Sequence, residues 1–393
     1  MNLSDRVRRV RPSPTLAVTA KAAELRAAGR DIISLGAGEP DFDTPSHIGE
    51  AGIQAIRDGF TRYTAVEGIV ELRQAIVDKL SNEQGLEFGL DQVIVSTGGK
   101  QSIYNLCQAL LNPGDEAIIS APYWVSYPDM VRLAGGEPVI VSAGQDQGFK
   151  MTPRQLEAAI TDKTRLVMLN SPSNPTGVAY TREDWEGLAE VLRNHPEIVI
   201  ATDDMYEKIL WAEEPFSSIV MAAPDLLSRT VVLNGVSKAY AMTGWRIGYA
   251  AGPAKLIKAM KVIQSQSTSG PCSVAQKAAL EAIAGDQSEI ESMVAAFRER
   301  HDYVVDALNE LPGVSCLPGQ GAFYSFPDVT DAMRALGVDD DVAFSEYLLE
   351  QAGVAVVPGS AFGAPGHVRL SYATSLDALR EAIGRIKAIL PAS

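Results

Sequence analysis

Between residues 90 and 236 the chain alternates short apolar, β-branched runs with longer stretches in which apolar residues recur at helical spacing. Short apolar runs without polar alternation are typical of strands buried on both faces, and strands separated by helices form mostly parallel, helix-covered sheets. The predicted strands are QVIVST (92–97), EAIIS (116–120), RLVMLNS (165–171), IVIATDD (198–204) and TVVLNG (230–235). Helices are predicted between several of them, for example at 100–111 and 182–194. The pattern therefore predicts an α/β fold built on a mostly parallel sheet.

The pattern changes after about residue 288, where a long amphipathic segment precedes several short strand-like runs. That segment, 290–311, predicts one long helix, and the runs that follow predict a smaller α+β domain. The runs are GAFYSF (321–326), GVAVVPG (353–359) and HVRLSYA (367–373). Near the N-terminus, a helical pattern at 15–29 has no obvious place in the central sheet. We therefore expect a large domain at 46–288 and a small domain formed by 1–45 together with 289–393.

Composition excludes several classes of function. The 393-residue chain has a formal net charge of −15, whereas proteins that bind nucleic-acid backbones cluster Lys and Arg to replace counterions. Its three cysteines are far apart and its four histidines are scattered, without the spacings of a disulfide framework or a metal site. No apolar run approaches the ~20 residues that span a bilayer, and Met1 is not followed by a signal peptide. We expect a cytoplasmic protein without a metal, a membrane anchor or a nucleic-acid partner.

Two glycine-rich stretches resemble nucleotide-binding motifs but depart from them at essential positions. GAGEPD (36–41) has Asp41 where a third glycine is needed, and Pro40 prevents a helix from starting there. STGGKQS (96–102) lacks the first glycine of a P-loop and has Gln101 in place of the Ser or Thr that holds magnesium. The second stretch still places glycines between a strand and a helix that starts at Lys100. Free backbone N–H groups at such a helix start can bind a phosphate that need not belong to a nucleotide.

Polar residues follow three further predicted strands. NSPSNPTG (170–177) places Asn174 in a proline-bounded turn, and ATDDMYEKIL (201–210) places Asp203 and Tyr206 at a strand end. GVSKAYAMTGWRIGYAAG (235–252) places two cations in a segment that is otherwise nearly all small or apolar. Taken singly, each motif has an ordinary explanation as a turn, a helix cap or a solvated charge. Because ligands on parallel sheets bind at the carboxyl ends of the strands, we expect the motifs to form one site.

Together these motifs resemble the class I aminotransferases of pyridoxal-phosphate fold type I, over essentially the whole chain. Residues 235–248 match the class signature around the cofactor lysine at every restricted position. The stretches GAGEPDFDTP, APYWVSYPDM, NSPSNPTG and AMTGWRIGYAAGP are similar to the aspartate aminotransferase Ib subgroup, some of whose members also use prephenate. The resemblance implies a large domain with a mostly parallel, helix-covered sheet and a smaller α+β domain.

The resemblance also implies pyridoxal 5'-phosphate as the cofactor, carried as an internal aldimine by Lys238. Small, apolar neighbours desolvate a lysine and lower its pKa, so the freed amine can also serve as the general base. Asp203 is expected at the pyridine nitrogen, Tyr206 and Asn174 at the 3'-oxygen, and Trp124 on the ring face. We expect Lys238, Asp203 and Tyr206 to be catalytic.

The remaining implied cofactor contacts concern the phosphate. The backbone N–H groups of Gly99 and Lys100 and the guanidinium of Arg246, taken as a second buried cation, are expected to hold it. Tyr63, in RYTAVEGIVELR, is expected to reach the phosphate of the neighbouring subunit in a homodimer. The resemblance further implies cis peptide bonds at Ala121–Pro122 and Asn174–Pro175.

For the substrate, the resemblance implies that Arg369 binds the α-carboxylate through a bidentate pair, the geometry to which guanidinium is suited. Gly38, Trp124 and Asn174 are expected to line the same space. The Lys100 side chain is expected to reach the far carboxylate of a dicarboxylic substrate. Two further residues, Thr15 and Lys150, fall where prephenate-using relatives have Thr and Lys.

The expected reaction is ping-pong transamination between L-aspartate and 2-oxoglutarate, giving oxaloacetate and L-glutamate. The alternative within the same class is transfer from aspartate or glutamate to prephenate, giving arogenate, or a related aminotransferase with another substrate range. Elimination or decarboxylation on the same fold is a second alternative, because a fold does not fix a reaction. A ligand-sensing domain of a transcription regulator is a third, but it would need an added DNA-binding segment. Two cations for two carboxylates, Arg369 and Lys100, favour transamination of dicarboxylic substrates.

Overall fold

The computed structural model describes residues 1–10, 12 and 14–391, without the side chains of residues 14–16. The strands are β1 (Ile33–Ser34), β2 (Val93–Ser96), β3 (Glu116–Ala121), β4 (Glu137–Ser142), β5 (Thr164–Asn170), β6 (Val199–Asp203), β7 (Thr230–Gly235), β8 (Gly248–Ala251), β9 (Tyr324–Ser325), β10 (Val354–Ala355), β11 (Val357–Pro358) and β12 (Val368–Ser371). The five strands predicted for the large sheet are confirmed and correspond to β2, β3, β5, β6 and β7.

The helices include the long helix predicted at 290–311 and the two interstrand helices that the sequence predicts. They are α1 (Asp5–Arg8), α2 (Pro14–Ala27), α3 (Ser46–Arg57), α4 (Val70–Gln84), α5 (Gly99–Leu110), α6 (Tyr127–Ala134), α7 (Pro153–Ala159), α8 (Arg182–Arg193), α9 (Ile219–Ala222), α10 (Ala254–Ser265), α11 (Ser273–Ala284), α12 (Ser288–Asn309), α13 (Thr330–Leu336), α14 (Asp341–Tyr347) and α15 (Leu376–Ile389). None of the described helices is long and apolar enough to cross a membrane.

The large sheet has seven strands in the order β2-β8-β7-β6-β5-β3-β4. Its strands pair in parallel except for β8, which runs antiparallel between β2 and β7. The sequence does not predict β8, because three of its four residues, GYAA, are Gly or Ala, which have little preference for strands. It also does not predict β4, an edge strand with a proline near its start and mostly accessible side chains.

Helices cover both faces of this sheet. In β2, Val93 and Val95 belong to one apolar core, and Ile94 between them belongs to another. The first core contains residues of α3, α4, α8 and α11, and the second contains residues of α5, α6 and α10. Strands buried on both faces account for the apolar runs without polar alternation. The α/β fold class is therefore confirmed.

The remaining strands form two small sheets. In one, β12 pairs antiparallel with β11 and with β9, and in the other β1 pairs in parallel with β10. Residues of α12 and α15 pack together with β9, β10 and β12 in a third apolar core. The N-terminal strand β1 is thus hydrogen-bonded to the C-terminal part of the chain. This arrangement places β9 and β12 beside the carboxyl ends of the large sheet's parallel strands.

Candidate active site

A cleft of about 490 Å³ opens at the carboxyl ends of the parallel strands, beside β12. It brings together most of the site residues that the sequence predicts. These are Gly38, Gly99, Lys100, Trp124, Asn174, Asp203, Tyr206, Lys238, Arg246 and Arg369. They are spread over most of the chain, so the fold alone makes them neighbours.

Lys238 follows β7 and is half-buried in the cleft. Its Nζ donates a hydrogen bond of 2.5 Å to the carbonyl oxygen of Gly38. Burial, followed by the positive charge of Arg369, lowers the pKa of the Lys238 amine to about 8. An amine with this pKa is partly unprotonated near neutral pH and can act as a nucleophile or a base.

Asp203 ends β6, and its buried carboxylate lines the cleft. Its Oδ2 accepts a hydrogen bond of 2.6 Å from the hydroxyl of Tyr127, and its Oδ1 accepts one of 3.3 Å from the backbone N–H of Met205. Burial raises the pKa of Asp203 to about 6, against the opposing effect of the Tyr127 hydrogen bond. Among the described residues, no lysine or arginine forms an ion pair with it. The carboxylate can therefore take a cationic partner from a ligand.

Arg369 is buried in β12 and holds Asn174. Its Nη1 donates to Asn174 Oδ1 at 2.9 Å, and its Nη2 donates to the carbonyl oxygen of Gly36 at 2.9 Å. Because the amide oxygen of Asn174 faces the guanidinium, its amino group is left as the donor toward the rest of the cleft. The Arg369 guanidinium lies 4.4 Å from the ring centre of Tyr324 and 5.0 Å from that of Phe362. Packing and hydrogen bonds thus fix a guanidinium at the wall of the cleft.

The start of α5 forms another end of the cleft. Gly98 precedes the helix with φ +81°, and a Cβ built on Gly98 would collide with the guanidinium of Arg246. The N–H groups in the first turn of a helix have no carbonyl partner within it, and Gly99 and Lys100 belong to this turn. A cation and free amides therefore meet at one point, as an anion site requires.

Lys100 is an exposed residue whose amine packs on an aromatic ring. Its Nζ lies 4.9 Å from the ring centre of Trp124, and both residues line the cleft. Desolvation by the surrounding atoms, followed by the positive charge of Arg246, lowers the pKa of the Lys100 amine from its usual value. Lys100 and Arg369 are thus two cationic side chains in the cleft besides Arg246, whose guanidinium lies at the start of α5.

Two expectations are wrong. Arg246 is not a buried cation in this chain: it is exposed, and its backbone at φ +59° turns the side chain back against Gly98. The cis peptide bonds among the described residues are Ala121–Pro122, as expected, and Ser171–Pro172, but not Asn174–Pro175. X–Pro bonds are usually trans, and the hydrogen bond from the Asn174 N–H to Asn170 Oδ1 holds that turn.

Tyr63 and Lys150 lie outside the cleft, and the side chain of Thr15 lies outside the described part of the chain. Tyr63 is fully exposed. Lys150 does not line the cleft, because its amine pairs with Asp184 at 2.7 Å and lies 5.8 Å from the ring centre of Tyr180. The backbone of Thr15 lies in α2, but its side chain is outside the described residues.

The structure adds three polar residues that the sequence analysis does not identify. Tyr127 donates to Asp203, and Tyr324 lies with its Oη 3.0 Å from that of Tyr206. Asn170 donates to the backbone carbonyl of Asp203 at 2.8 Å and accepts from the backbone of Asn174 at 3.0 Å. Two of them carried a signal, since Asn170 opens NSPSNPTG and Tyr127 lies within APYWVSYPDM.

A lysine amine, a buried carboxylate and an anion site at a helix start, all at the strand ends of this fold, define a class of enzyme. The family model "Aminotransferase class I and II" matches residues 30–386, and the chain belongs to this family. It is therefore an aminotransferase, and members of this family generally depend on pyridoxal phosphate.

Similar proteins specify the family further. The chain is 57% identical to an aspartate/prephenate aminotransferase from Nitrosomonas europaea, covering 99% of this chain and 100% of that protein. It is 50% identical to an aspartate aminotransferase from Geobacillus stearothermophilus, over 100% of both chains. Among solved structures, an aspartate aminotransferase from Rhizobium meliloti superposes with a TM-score of 0.95 at 46% identity, covering 99% of this chain and 98% of that one.

Proposed function

We propose that this protein transfers the amino group of L-aspartate to 2-oxoglutarate, giving oxaloacetate and L-glutamate, with pyridoxal 5'-phosphate as cofactor. The observation that carries this proposal is that the cleft with the low-pKa amine of Lys238 holds two cations, Arg369 and Lys100, in addition to Arg246 at the anion site. Arg369 and Lys100 supply one positive charge for each carboxylate of a dicarboxylic amino acid. The names of the similar proteins agree with this choice.

The residues present fit the cofactor. Asp203 is a buried carboxylate without a cationic partner among the described side chains, and a protonated pyridine nitrogen would supply that partner. Gly98 has no side chain where the Arg246 guanidinium approaches, which leaves the helix start open to a phosphate. Lys238 is the amine that would attach the cofactor, and Trp124 would cover the ring.

When bound, pyridoxal phosphate supplies an electron sink for the negative charge that develops at the substrate Cα. The other steps depend on this chain's residues. Arg369 binds and orients the α-carboxylate, so that the Cα–H bond is presented to the Lys238 amine. Lys238 Nζ takes the proton from Cα, for which its lowered pKa suits it. With the cofactor bound, Asp203 would keep the pyridine nitrogen protonated, and Tyr206 and Asn174 would hold the 3'-oxygen.

Prephenate is the second candidate acceptor, since it also carries two carboxylates and several relatives are named aspartate/prephenate aminotransferases. The ion pair between Lys150 and Asp184 weakens one of the two sequence arguments for it. A side-by-side assay would compare aspartate and glutamate as donors with oxaloacetate, 2-oxoglutarate and prephenate as acceptors. We expect the highest kcat/KM for aspartate with 2-oxoglutarate. The proposal would be contradicted if aspartate donated its amino group to neither 2-oxoglutarate nor prephenate.

Replacing Lys100 with Gln should weaken catalysis only for dicarboxylic substrates. Loss of a hydrogen bond to a charged group corresponds to about 1.5–3 kcal/mol, or roughly a 10- to 150-fold lower kcat/KM for aspartate. Alanine, which has no far carboxylate, should be almost unaffected. Equal losses for aspartate and alanine would show that Lys100 serves only the cofactor and would remove the main support for a dicarboxylic substrate.

The active form proposed here is a cytoplasmic homodimer, each chain having a large domain at 46–288 and a small domain at 1–45 with 289–393. The fully exposed Tyr63 is available to reach the neighbour's cofactor phosphate. Tyr63→Phe should therefore lower the affinity for the cofactor. The matched control is Tyr104→Phe, a tyrosine of α5 for which no contact with the cofactor is proposed. A fully active preparation that solution scattering showed to be monomeric would contradict the proposed dimer.

A further inference from the structure

Tyr324 connects two parts of the cleft with different proposed tasks. Its side chain is buried, its Oη lies 3.0 Å from Tyr206 Oη, and the Arg369 guanidinium lies 4.4 Å from its ring centre. Under the proposed function, Tyr206 serves the cofactor and Arg369 serves the substrate. Tyr324 therefore contacts a cofactor residue with its hydroxyl and a substrate residue with its ring face.

The backbone and the neighbouring rings fix this position. Tyr324 pairs with Ser371 in β12, two residues beyond Arg369, so one pair of strands sets the spacing between ring and guanidinium. The ring also packs edge-on against that of Tyr206, with centroids 5.9 Å apart. A Cβ built on Gly177, in the turn that contains Asn174, would lie 3.0 Å from the Tyr324 carbonyl oxygen. The strand pairing and the ring contacts therefore hold the Tyr324 ring between Tyr206 and Arg369.

The number of available protons gives the Tyr206–Tyr324 hydrogen bond a direction. A tyrosine hydroxyl has one proton to donate and two lone pairs, and either hydroxyl could be the donor in this pair. With pyridoxal phosphate bound as proposed, its negatively charged 3'-oxygen would be a stronger acceptor than a neutral phenol, so Tyr206 would give its only proton to the cofactor. Tyr324 would then be the donor to Tyr206. A hydroxyl that accepts a hydrogen bond becomes a better donor, because connected hydrogen bonds polarise one another.

We propose that Tyr324 is a positioning residue for both halves of the site. Its hydroxyl donates to Tyr206 and commits the Tyr206 proton to the cofactor's 3'-oxygen, while its ring face orients Arg369 toward the substrate α-carboxylate. This inference rests on the proposed function, because it requires pyridoxal phosphate in the cleft.

Tyr324→Phe tests the hydroxyl, since it removes the donor and keeps the ring. The readout is the visible absorbance of the bound cofactor as a function of pH. The midpoint of its change gives the pKa of the nitrogen that joins the cofactor to Lys238. Loss of that proton puts more negative charge on the 3'-oxygen, so a donor there lowers the midpoint. Tyr206→Phe should raise the midpoint by about 1–2 pH units, and Tyr324→Phe should raise it by a few tenths of a unit.

The double variant Tyr206→Phe/Tyr324→Phe distinguishes a hydroxyl that acts through Tyr206 from one that acts independently. We expect its midpoint to equal that of Tyr206→Phe alone, because no Tyr206 proton remains to be directed. A shift in Tyr206→Phe without one in Tyr324→Phe would overturn this inference and leave the proposed function intact. Absence of a shift in Tyr206→Phe would instead overturn the proposed role of Tyr206.

Tyr324→Leu tests the ring face with a nonreacting dicarboxylate, maleate, as the probe. Loss of the cation–π contact should raise the dissociation constant for maleate by about 2- to 30-fold. Tyr324→Phe, which keeps the face, should bind maleate within about twofold of the unaltered enzyme. Equal weakening in both variants would overturn the proposed role of the ring in orienting Arg369.

Discussion

Replacing Lys238 with alanine should reduce kcat for aspartate by roughly 10⁴-fold or more. The substitution removes the amine that attaches the cofactor and the base that takes the Cα proton, and a positioned acid or base alone contributes about 10²–10⁴-fold. The amine's lowered pKa of about 8 and its place beside Gly38 make it the base candidate in the cleft. Single-turnover measurement of the half-reaction with aspartate isolates this step from product release.

The matched control is Lys255→Ala, an exposed lysine of α10 outside the cleft, which should keep the original kcat. A small primary amine added to Lys238→Ala should restore part of the rate, because it can occupy the vacated space and accept the Cα proton. A Lys238→Ala enzyme that kept more than a few per cent of kcat would show that another group is the base.

Replacing Arg369 with Gln should have the second-largest effect. It removes two charge-assisted hydrogen bonds to the α-carboxylate, about 1.5–3 kcal/mol each, so kcat/KM should fall by roughly 10²–10⁴-fold. Every amino acid has an α-carboxylate, so aspartate and alanine should lose activity together, in contrast to the Lys100 variant. Measuring kcat/KM for both amino acids in both variants separates the two carboxylate sites.

Arg369→Lys is the matched variant, since it keeps the charge and loses the fork. Its kcat/KM should lie between those of Arg369→Gln and the unaltered enzyme, because an ammonium cannot make the bidentate pair. Arg369 is buried and holds Asn174 and Gly36, so thermal unfolding of each variant must accompany the kinetics. Alanine activity that survived in a folded Arg369→Gln enzyme would contradict the assigned α-carboxylate site.

The sequence predicts the large sheet well because its strands are buried on both faces and therefore appear as continuous apolar runs. The ends of β7 match the prediction, and those of β5 differ from it by one residue. The prediction fails where burial leaves no such pattern. β8 is only four residues long and consists of Gly and Ala apart from one Tyr, and β4 is an edge strand with mostly accessible side chains. Pairing with β2 and β7 stabilises β8, and the strand preferences of its own residues do not reveal this pairing.

Site residues are likewise predicted where the local sequence carries a pattern and missed where only the fold places them. Lys238 and Asp203 stand directly after predicted strands, so strand ends and family motifs together identify them. Tyr324 lies within a predicted strand and is as apolar in pattern as its neighbours, and only the pairing of β9 with β12 places its hydroxyl near Tyr206. The exposure of a side chain depends on the whole fold, which is why the sequence wrongly predicts that Arg246 is buried.

Borohydride reduction of the purified protein, followed by peptide mapping, tests the central claim most directly. Reduction should fix pyridoxal phosphate permanently to the peptide that contains Lys238 and bleach the yellow colour of the enzyme. Lys100 is an internal comparison, because it lines the same cleft but is proposed to bind only substrate and phosphate. Recovery of the cofactor on Lys238 alone is the predicted result. Recovery on Lys100 or any other lysine, or no attachment at all, would contradict the account.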